Sequence, residues 1–456
     1  LKYLGGHDWY KELAGAVVGK QWPNGAWGRE DKGENAIIDT AYTLLFLARG
    51  RHPVMMNKLR FDGYWNNRAR DLAHLTSVAS RELERVVNWQ IVSSERDWAD
   101  WLDAPILMMS SHAAPKLKAE DYTKLRAYVD AGGMIFTHAD GGSMNFNTFA
   151  GELAKKLFPE YPIANLPQDH EIYSIQYPMK TKPQLKFVSN GSRILMVHSP
   201  ADLTTAWQVR DLSKRVNFEL GINLFVYASG KAELRNRLNS LYIAAAEGKS
   251  ARNVRMARVK HGGNWNPEPY AWERFSRYLK QQAGWTMEMV VAEAGQLRVE
   301  STPMAHLTGT AELNLSDSEV TGLRNYVEGG GTLLIDACGG SGLFAQSVGA
   351  ILARGIPEAR AQGVGGSDPM LRASAPGMEE IGVAVLRPYA EQRLGKGAGR
   401  IEQMQVGKGR IIICGIDFSS GLVGANAWGI IGYEPGYAMK LVKNVVIWAE
   451  NQKEFH

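Results

Sequence analysis

The sequence predicts an α/β protein with two tandem, doubly wound parallel-sheet domains behind a short N-terminal helical hairpin. Three observations predict it. The first is an internal repeat. The stretch TGLRNYVEGGGTLLIDACGGSGLFAQ (321–346) has the design of TKLRAYVDAGGMIFTHADGGSMNFNTF (123–149). Tyr128, Gly132-Gly133 and Gly141-Gly142 match Tyr326, Gly330-Gly331 and Gly339-Gly340 at one constant offset of 198 residues (326 − 128). Self-similarity at a fixed period marks a duplicated structural unit. The second is that the strands read as near-continuous apolar runs, as strands buried on both faces do. The third is the regular alternation of strand and helix within each copy, the pattern of a doubly wound α/β unit.

Residues 1–57 predict the hairpin. A helix over about 7–19 leads through KQWPNGAWGRE into a second, IIDTAYTLLFLARG, with Asp39 and Thr40 at its head and Pro53 beyond its end. The first α/β domain is assigned to 58–232. NKLRFDGYWNNRARDLAHL supplies its first strand and helix, NWQIVS, APILMMSSH and MIFTHAD its next strands, RILMVHSPADLT a late strand, and NFELGINLFVYASG a closing helix. Residues 233–253 read as a linker. The second domain, 254–456, repeats the plan with ARVKHGGNWNPEPYAWERF, TMEMVVAE, MAHLTGT, TLLIDAC, RIIICGIDFSSG and YAMKLVKNVVIWAE. Trp65-Asn66 falls over Trp265-Asn266, Asp202 over Asp417 and Asn223 over Asn444. Irregular, Pro- and Gly-containing stretches at 163–190 and 365–400 predict insertions with short antiparallel pieces over the carboxyl edge of each sheet.

Composition excludes several classes. Apolar residues make up 45% and charged residues 22%, the balance of a folded globular chain. No run of about 18 apolar residues occurs, so no transmembrane helix is expected. The net charge of +5 is spread among interleaved acids and bases, which gives no basic stripe and no expectation of a nucleic-acid partner. Cys338 and Cys414 cannot form a disulfide framework, although a single bridge stays open. Leu1 in place of Met implies processing or trimming, so a leader peptide would not be visible.

Ligands of open α/β sheets bind outside the carboxyl ends of the strands. At that edge of the second repeat, Cys338 sits on a strand–tight turn–helix junction, where a nucleophile can be exposed and helix-end amides can lower a thiol pKa. The bland reading is a small buried residue. In the first repeat His112, His138 and His198 end strands and His170 lies in the insertion. Asp140, Asp169 and Asp202 accompany them. If they converge, His112, His138, His170 and His198 form a zinc or iron ligand set, with Asp140 or Asp202 as base. Otherwise each caps a strand end or lines a polar pocket. Trp65-Asn66 and Trp265-Asn266 offer an aromatic face and an amide for a sugar or peptide, or simply pack on the next helix. Asp202 and Asp417 are ligand-binding candidates that also suit helix caps. GGSG (339–342) lacks the Lys of a phosphate loop, and GKGR (407–410) reads as a hairpin turn.

Several segments resemble known families. Glu12, Gln21 and Gly25-x-Trp27 resemble the Gln-Trp repeat of terpenoid cyclase and prenyltransferase α/α toroids, which implies that residues 1–57 are the terminal piece of such a domain. The Cys338 junction resembles the class I glutamine amidotransferase-like fold. That fold's catalytic His, expected after the late strand, is missing from Cys414-Gly415-Ile416-Asp417, and Asp140 stands in place of the Cys in the first repeat. HGGNWNPEPYAWERF, the 315–347 stretch and GIDFSSGLVGANAWGIIGYEPGYAMKLVKNVVIWA resemble the bacterial family catalogued as domain of unknown function 4159. YVDAGGMIFTHADGG, DHEIY and SPADLT resemble it more loosely. The resemblance implies an amidotransferase-like fold and, by analogy, a bacterial cell-envelope location. Together these readings favour a non-catalytic binding or scaffold protein. Its strand-end crevices would take a partner protein or a small polar or sugar ligand, and the repeats would pack about a pseudo-twofold axis, with homo-oligomers compatible. The alternatives are a metal-dependent hydrolase in the first α/β domain and a thiol hydrolase using Cys338.

Overall fold

The structure, a computed structural model, describes residues 2–452. A two-residue ladder, β1 (Tyr3–Leu4) with β2 (His7–Asp8), precedes the helices α1 (Trp9–Val18) and α2 (Glu34–Gly50). Lys2 N donates to Ile91 O, so this segment borders the edge strand of the first sheet.

The first domain contains β3 (Val54–Arg60), α3 (Asp71–Glu82), β4 (Asn88–Ser93), β5 (Ile106–Ser111), α4 (Ala119–Asp130), β6 (Met134–Ala139) and α5 (Met144–Leu157). It continues with β7 (Ala164–Asn165), β8 (Lys186–Ser189), β9 (Ile194–Ser199), α6 (Thr204–Val209) and α7 (Arg215–Ser229). Its seven strands run in the order β4-β3-β5-β6-β9-β8-β7. The first five are parallel, and β8 and β7 are antiparallel additions.

The second domain contains β10 (Arg252–Lys260), α8 (Ala271–Ala283), β11 (Trp285–Glu293), β12 (Met304–Gly309), α9 (Asp317–Glu328), β13 (Thr332–Ala337) and α10 (Gly342–Gly355). It continues with β14 (Gln362–Gly363), α11 (Pro388–Leu394), β15 (Ile401–Val406), β16 (Gly409–Cys414), α12 (Ser419–Val423) and α13 (Pro435–Gln452). Its order, β11-β10-β12-β13-β16-β15-β14, is the same topology. Apolar side chains are buried on both faces of each sheet. In the first domain α3 and α7 cover one face and α4 and α5 the other; in the second, α8 and α13 lie opposite α9 and α10. The fold is therefore the predicted pair of doubly wound domains. The expected insertion at 163–190 contains the short antiparallel strands β7 and β8, and that at 365–400 lies between β14 and β15; both pairs widen their sheets sideways.

The repeated Tyr…Gly-Gly motif has one physical cause in both copies. Gly132 and Gly330 take φ of +103° and +113° to end α4 and α9, a conformation open to glycine. The next glycine makes room for the tyrosine ring. A Cβ on Gly133 or Gly331 would fall 2.2 or 2.5 Å from Tyr128 or Tyr326. Each ring then reaches back to the turn two residues ahead of the preceding strand, β5 or β12: Tyr128 Oη donates to Ala104 O at 3.2 Å and Tyr326 Oη to Thr302 O at 2.8 Å.

The matched asparagines are explained as well. Asn223 in α7 accepts from Tyr177 N and donates to Tyr177 O, both at 2.9 Å. Asn444 in α13 makes the same two-way bond to Glu379, at 3.1 and 2.7 Å. Each ties its insertion down to the closing helix. Asn444→Ala leaves a buried amide and carbonyl unpaired and is expected to cost about 2 kcal/mol in chemical denaturation.

Candidate functional site

The strand-end crevice of the second domain is occupied by the first domain. The turn between β8 and β9 enters it. Asn190 Nδ2 donates to Pro267 O at 2.8 Å and to Glu268 Oε1 at 3.0 Å. Asn264 Nδ2 and Thr310 Oγ1 donate to Asn190 O at 2.7 and 3.0 Å. Gly191 has φ +87°, and a Cβ there would stand 2.4 Å from Thr310 Oγ1, so the tip of the turn fits as glycine. Ser192 Oγ lies 2.8 Å from Ser420 Oγ. Arg193 forms a buried bidentate pair with Glu268, at 2.9 and 3.0 Å. The segment after α12 packs back on the first domain, where Trp428 joins its core. This packing is head-to-tail, not the expected pseudo-twofold arrangement.

Cys338 lies beneath this turn, fully buried, with Sγ 3.7 Å from Ser420 Oγ. Burial, then the charges of Asp417, Glu268 and Asp336, push its thiol far up. A thiolate nucleophile needs the opposite surroundings, so the reading of Cys338 as a nucleophile is corrected to a packed core thiol. Cys414 is buried and free as well. Behind them Asp336 accepts from His306 Nε2 at 2.9 Å and from Phe418 N and Ser419 N at 3.1 and 2.9 Å. Burial alone would raise that carboxyl, but these bonds and the His306 ring hold it below the usual range. Asp417 caps α12 through Ser420 N at 2.9 Å, and burial followed by Asp336 pushes its carboxyl up.

The equivalent strand-end edge of the first domain faces solvent, with Asn67, His112 and Gly141 exposed, and a paired charge network lies beneath it. Arg68 lies between two carboxylates, Nη1 to Asp140 Oδ1 at 2.8 Å and Nη2 to Asp202 Oδ2 at 2.6 Å, and also donates to Thr204 Oγ1 at 2.7 Å. Asp140 also accepts from Asn67 Nδ2 at 2.8 Å, from Ser110 Oγ and from His138 Nδ1 at 3.2 Å. Asp202 accepts from Gly141 N at 3.1 Å and from Thr205 N at 3.2 Å, which caps α6. For both carboxyls burial works upward and is outweighed. Donors from His138, Ser110 and Asn67 lower Asp140, and Thr205 and Arg68 lower Asp202. Both stay ionised. His138 Nε2 accepts from Leu203 N at 2.8 Å, so its proton sits on Nδ1 and neither nitrogen is free to serve as a base. The rim carries His112, tilted against Tyr64 with ring centroids 4.6 Å apart, and Met144; Tyr64 and Met144 are 62% and 74% exposed.

The four histidines do not come together. In the parallel β6–β9 pair, Thr137 stands opposite His198 and His138 opposite Ser199. Adjacent rows of a strand face opposite ways, so His138 turns to the α6 entry and His198 to Asn147 of α5, 2.9 Å away. His112 is exposed at the rim. His170 caps a short turn through Ile172 N at 3.1 Å, beside Tyr227. Among the described residues no group of three or more His, Cys, Asp or Glu side chains is arranged to hold a metal ion. Asp140, Asp202 and His138 do meet, but Arg68 already lies between the carboxylates, where a cation would have to sit. This donor set does not fit zinc or iron as arranged.

Trp65 is half-buried against the first domain's core, with Asn66 exposed beside it. Trp265 and Asn266 line a separate cleft of about 420 Å³ against edge strand β11. Sequence reasoning missed Arg68, Asn67, Ser110 and Thr204. One signal was present: at the offset of 200 that matches Trp65 to Trp265, Arg68 faces Glu268, a reversal of charge.

The buried histidines make acid stability testable. Burial drives His198 down to about 4. An unfolded histidine titrates near 6.5, so between about pH 6.5 and 4 the unfolded chain binds a proton that the folded chain refuses. Stability therefore falls as pH drops through that window and is regained above it. Burial lowers His170, His261 and His306 in the same direction. Urea midpoints are expected to fall between pH 7 and pH 5, and His198→Gln to remove about 2 kcal/mol of that loss.

The family model described as Domain of unknown function (DUF4159) matches residues 54–229 and 255–449. No curated protein matches. Among matching solved structures, the exo-beta-1,4-mannosidase Op5Man5 from Opitutaceae bacterium strain TAV5 is 13% identical, with a TM-score of 0.24, over 77% of this chain and 60% of that one. The chain thus spans about 60% of that structure's length, and so loose a likeness carries no argument about fold or function. The two family matches take in most of the chain, which therefore belongs to the DUF4159 family and carries its domain twice in tandem.

Proposed function

We propose that the chain is a non-catalytic binding or scaffold protein whose first-domain crevice is a socket for a turn of a partner protein. One observation carries this: the same crevice in the second domain already holds a turn, Asn190–Arg193, delivered by the first domain. The open copy has the same position in the fold and a floor whose charges are already paired, which suits recognition better than proton transfer. The partner is a different chain rather than a second copy. In this molecule the strand register, with Met196 opposite Ile135 as Ile411 is opposite Leu333, puts Lys408 in the place of Arg193, and it would meet Arg68 where Arg193 meets Glu268. A small polar or sugar ligand is the narrower form of the same reading.

The two domains are further proposed to be degenerate class I glutamine amidotransferase-like units, and the chain to act in a bacterial cell envelope. The N-terminal hairpin is proposed to be the end of an α/α toroid. Its turn supports this: Gln21 Nε2 bonds Gly25 O at 3.0 Å, and Trp27 links Val17 O at 2.9 Å to Thr40 Oγ1 at 2.9 Å, joining α1 to α2. No helix of the described residues is long and apolar enough to cross a membrane.

The test is a photo-crosslinking residue at Tyr64 in the native host. One dominant protein adduct, mapped to a turn of the partner and lost when His112→Arg and Met144→Arg obstruct the rim, supports the socket. Hydrolytic turnover by the purified chain that depends on added zinc or iron and disappears in His138→Gln contradicts it, and favours the metal-dependent hydrolase.

A further inference from the structure

Three arginines without a carboxylate partner line one cleft between the linker and the second domain. The cleft has a volume of about 750 Å³, and Arg235, Arg274, Arg387, Glu233, Glu434 and Lys440 are among its lining residues. Arg235 donates to Asn239 O at 2.9 Å and Leu102 O at 3.2 Å. Arg274 donates to Leu241 O at 2.8 Å and Leu422 O at 2.9 Å. Arg387 donates to Ala425 O at 2.6 Å; it is only 2% exposed, and its Nε and Nη2 have no partner. Among the described residues none of the three makes an ion pair, in contrast to the buried Arg193–Glu268 pair.

A buried guanidinium without a counter-ion is costly, and carbonyl dipoles compensate it only in part. Burial accordingly lowers all three, Arg274 to about 10, with Arg235 adding repulsion to Arg274. All remain charged at neutral pH. Nearby carboxylates offset them only in part: Asp417, Glu434 and Glu268 act on Arg387 through space without an ion pair, Glu434 also accepts from Tyr437 N at 2.9 Å at the head of α13, and Glu233 is exposed. Lys440 adds a further cation, although Glu379 holds it at 3.1 Å.

We propose that this cleft binds a phosphate-bearing small molecule, with the phosphate oxygens bridging Arg274, Arg387 and Arg235. A guanidinium fork matches phosphate geometry, and a phosphate monoester offers three free oxygens to three guanidinium groups. The volume lies in the range of small-molecule sites, well above what a lone anion fills. Because Arg235 and Asn239 belong to the linker, the bound ligand also fastens the linker to the second domain.

The test is titration calorimetry of the full chain with inorganic phosphate and with phenyl phosphate, against chloride at equal ionic strength. Saturable binding is expected. Arg274→Gln and the half-buried Arg235→Gln should each weaken it by about tenfold or more, while the exposed Arg60→Gln leaves it unchanged. Tighter phenyl phosphate binding assigns the site to an organic monoester, and tighter inorganic phosphate binding assigns it to the free ion. Bound phosphate should also slow tryptic cleavage of the linker. No saturable heat with either probe, or binding unaltered in both variants with native circular dichroism, overturns the proposal.

Discussion

Arg193→Met is expected to destabilise the chain by about 3–5 kcal/mol, because it leaves the Glu268 carboxylate buried without its cation. Arg193 and Glu268 are 3% and 0% exposed, so water cannot take over the arginine's role without opening the interface. The variant also frees Val129 O and Gly133 O, which Arg193 now satisfies. Denaturant titration followed by tryptophan fluorescence should show the loss. Arg193→Met with Glu268→Gln should recover a large part of it, since the uncompensated charge and not the missing contact dominates. Equal instability of the single and double variants would show that the pair matters through packing alone.

Arg68→Gln is expected to cost about 3 kcal/mol at neutral pH, for a related reason. It leaves Asp140 and Asp202 facing one another with no cation between them. The cost should shrink when Asp202→Asn removes one of the charges. It should also shrink on acidification, because the variant's carboxyls, raised by mutual repulsion, protonate at higher pH than those of the parent. Denaturation of the two proteins at pH 7 and pH 5 checks this, and a pH-independent difference would contradict it. Fluorescence can follow both transitions, since Trp207 is buried within α6.

The fold was legible because its signals are local. Apolar runs, the Tyr…Gly-Gly punctuation and the matched Asn223 and Asn444 all stem from contacts made the same way twice. The antiparallel strands β8 and β15 were legible only as short antiparallel pieces in the 163–190 insertion and as the hairpin turn at GKGR, because KFVS and IEQMQV carry little apolar signal to fix their bounds. Site residues were partly legible. Asp140, Asp202 and His138 end strands and do meet. Whether His198 joins them depends on strand register, and one row of register places it on the other face of the sheet. The occupied crevice was not legible at all. Asn190-Gly191-Ser192 reads as an ordinary turn, and only the assembled molecule brings it to Thr310 and Ser420, more than a hundred residues on.

The central claim is that one crevice is filled from within the molecule while its twin faces outward. The most direct measurement is thiol labelling of the folded chain carrying Tyr64→Cys, with Cys338 as the internal comparison. The account predicts that the cysteine at position 64 is modified at once and in full, while Cys338 reacts no faster than the chain unfolds, and sooner in Arg193→Met. Labelling of Cys338 as fast as position 64 in the parent fold would contradict it, because the second crevice would then be open too and its turn no precedent for a socket.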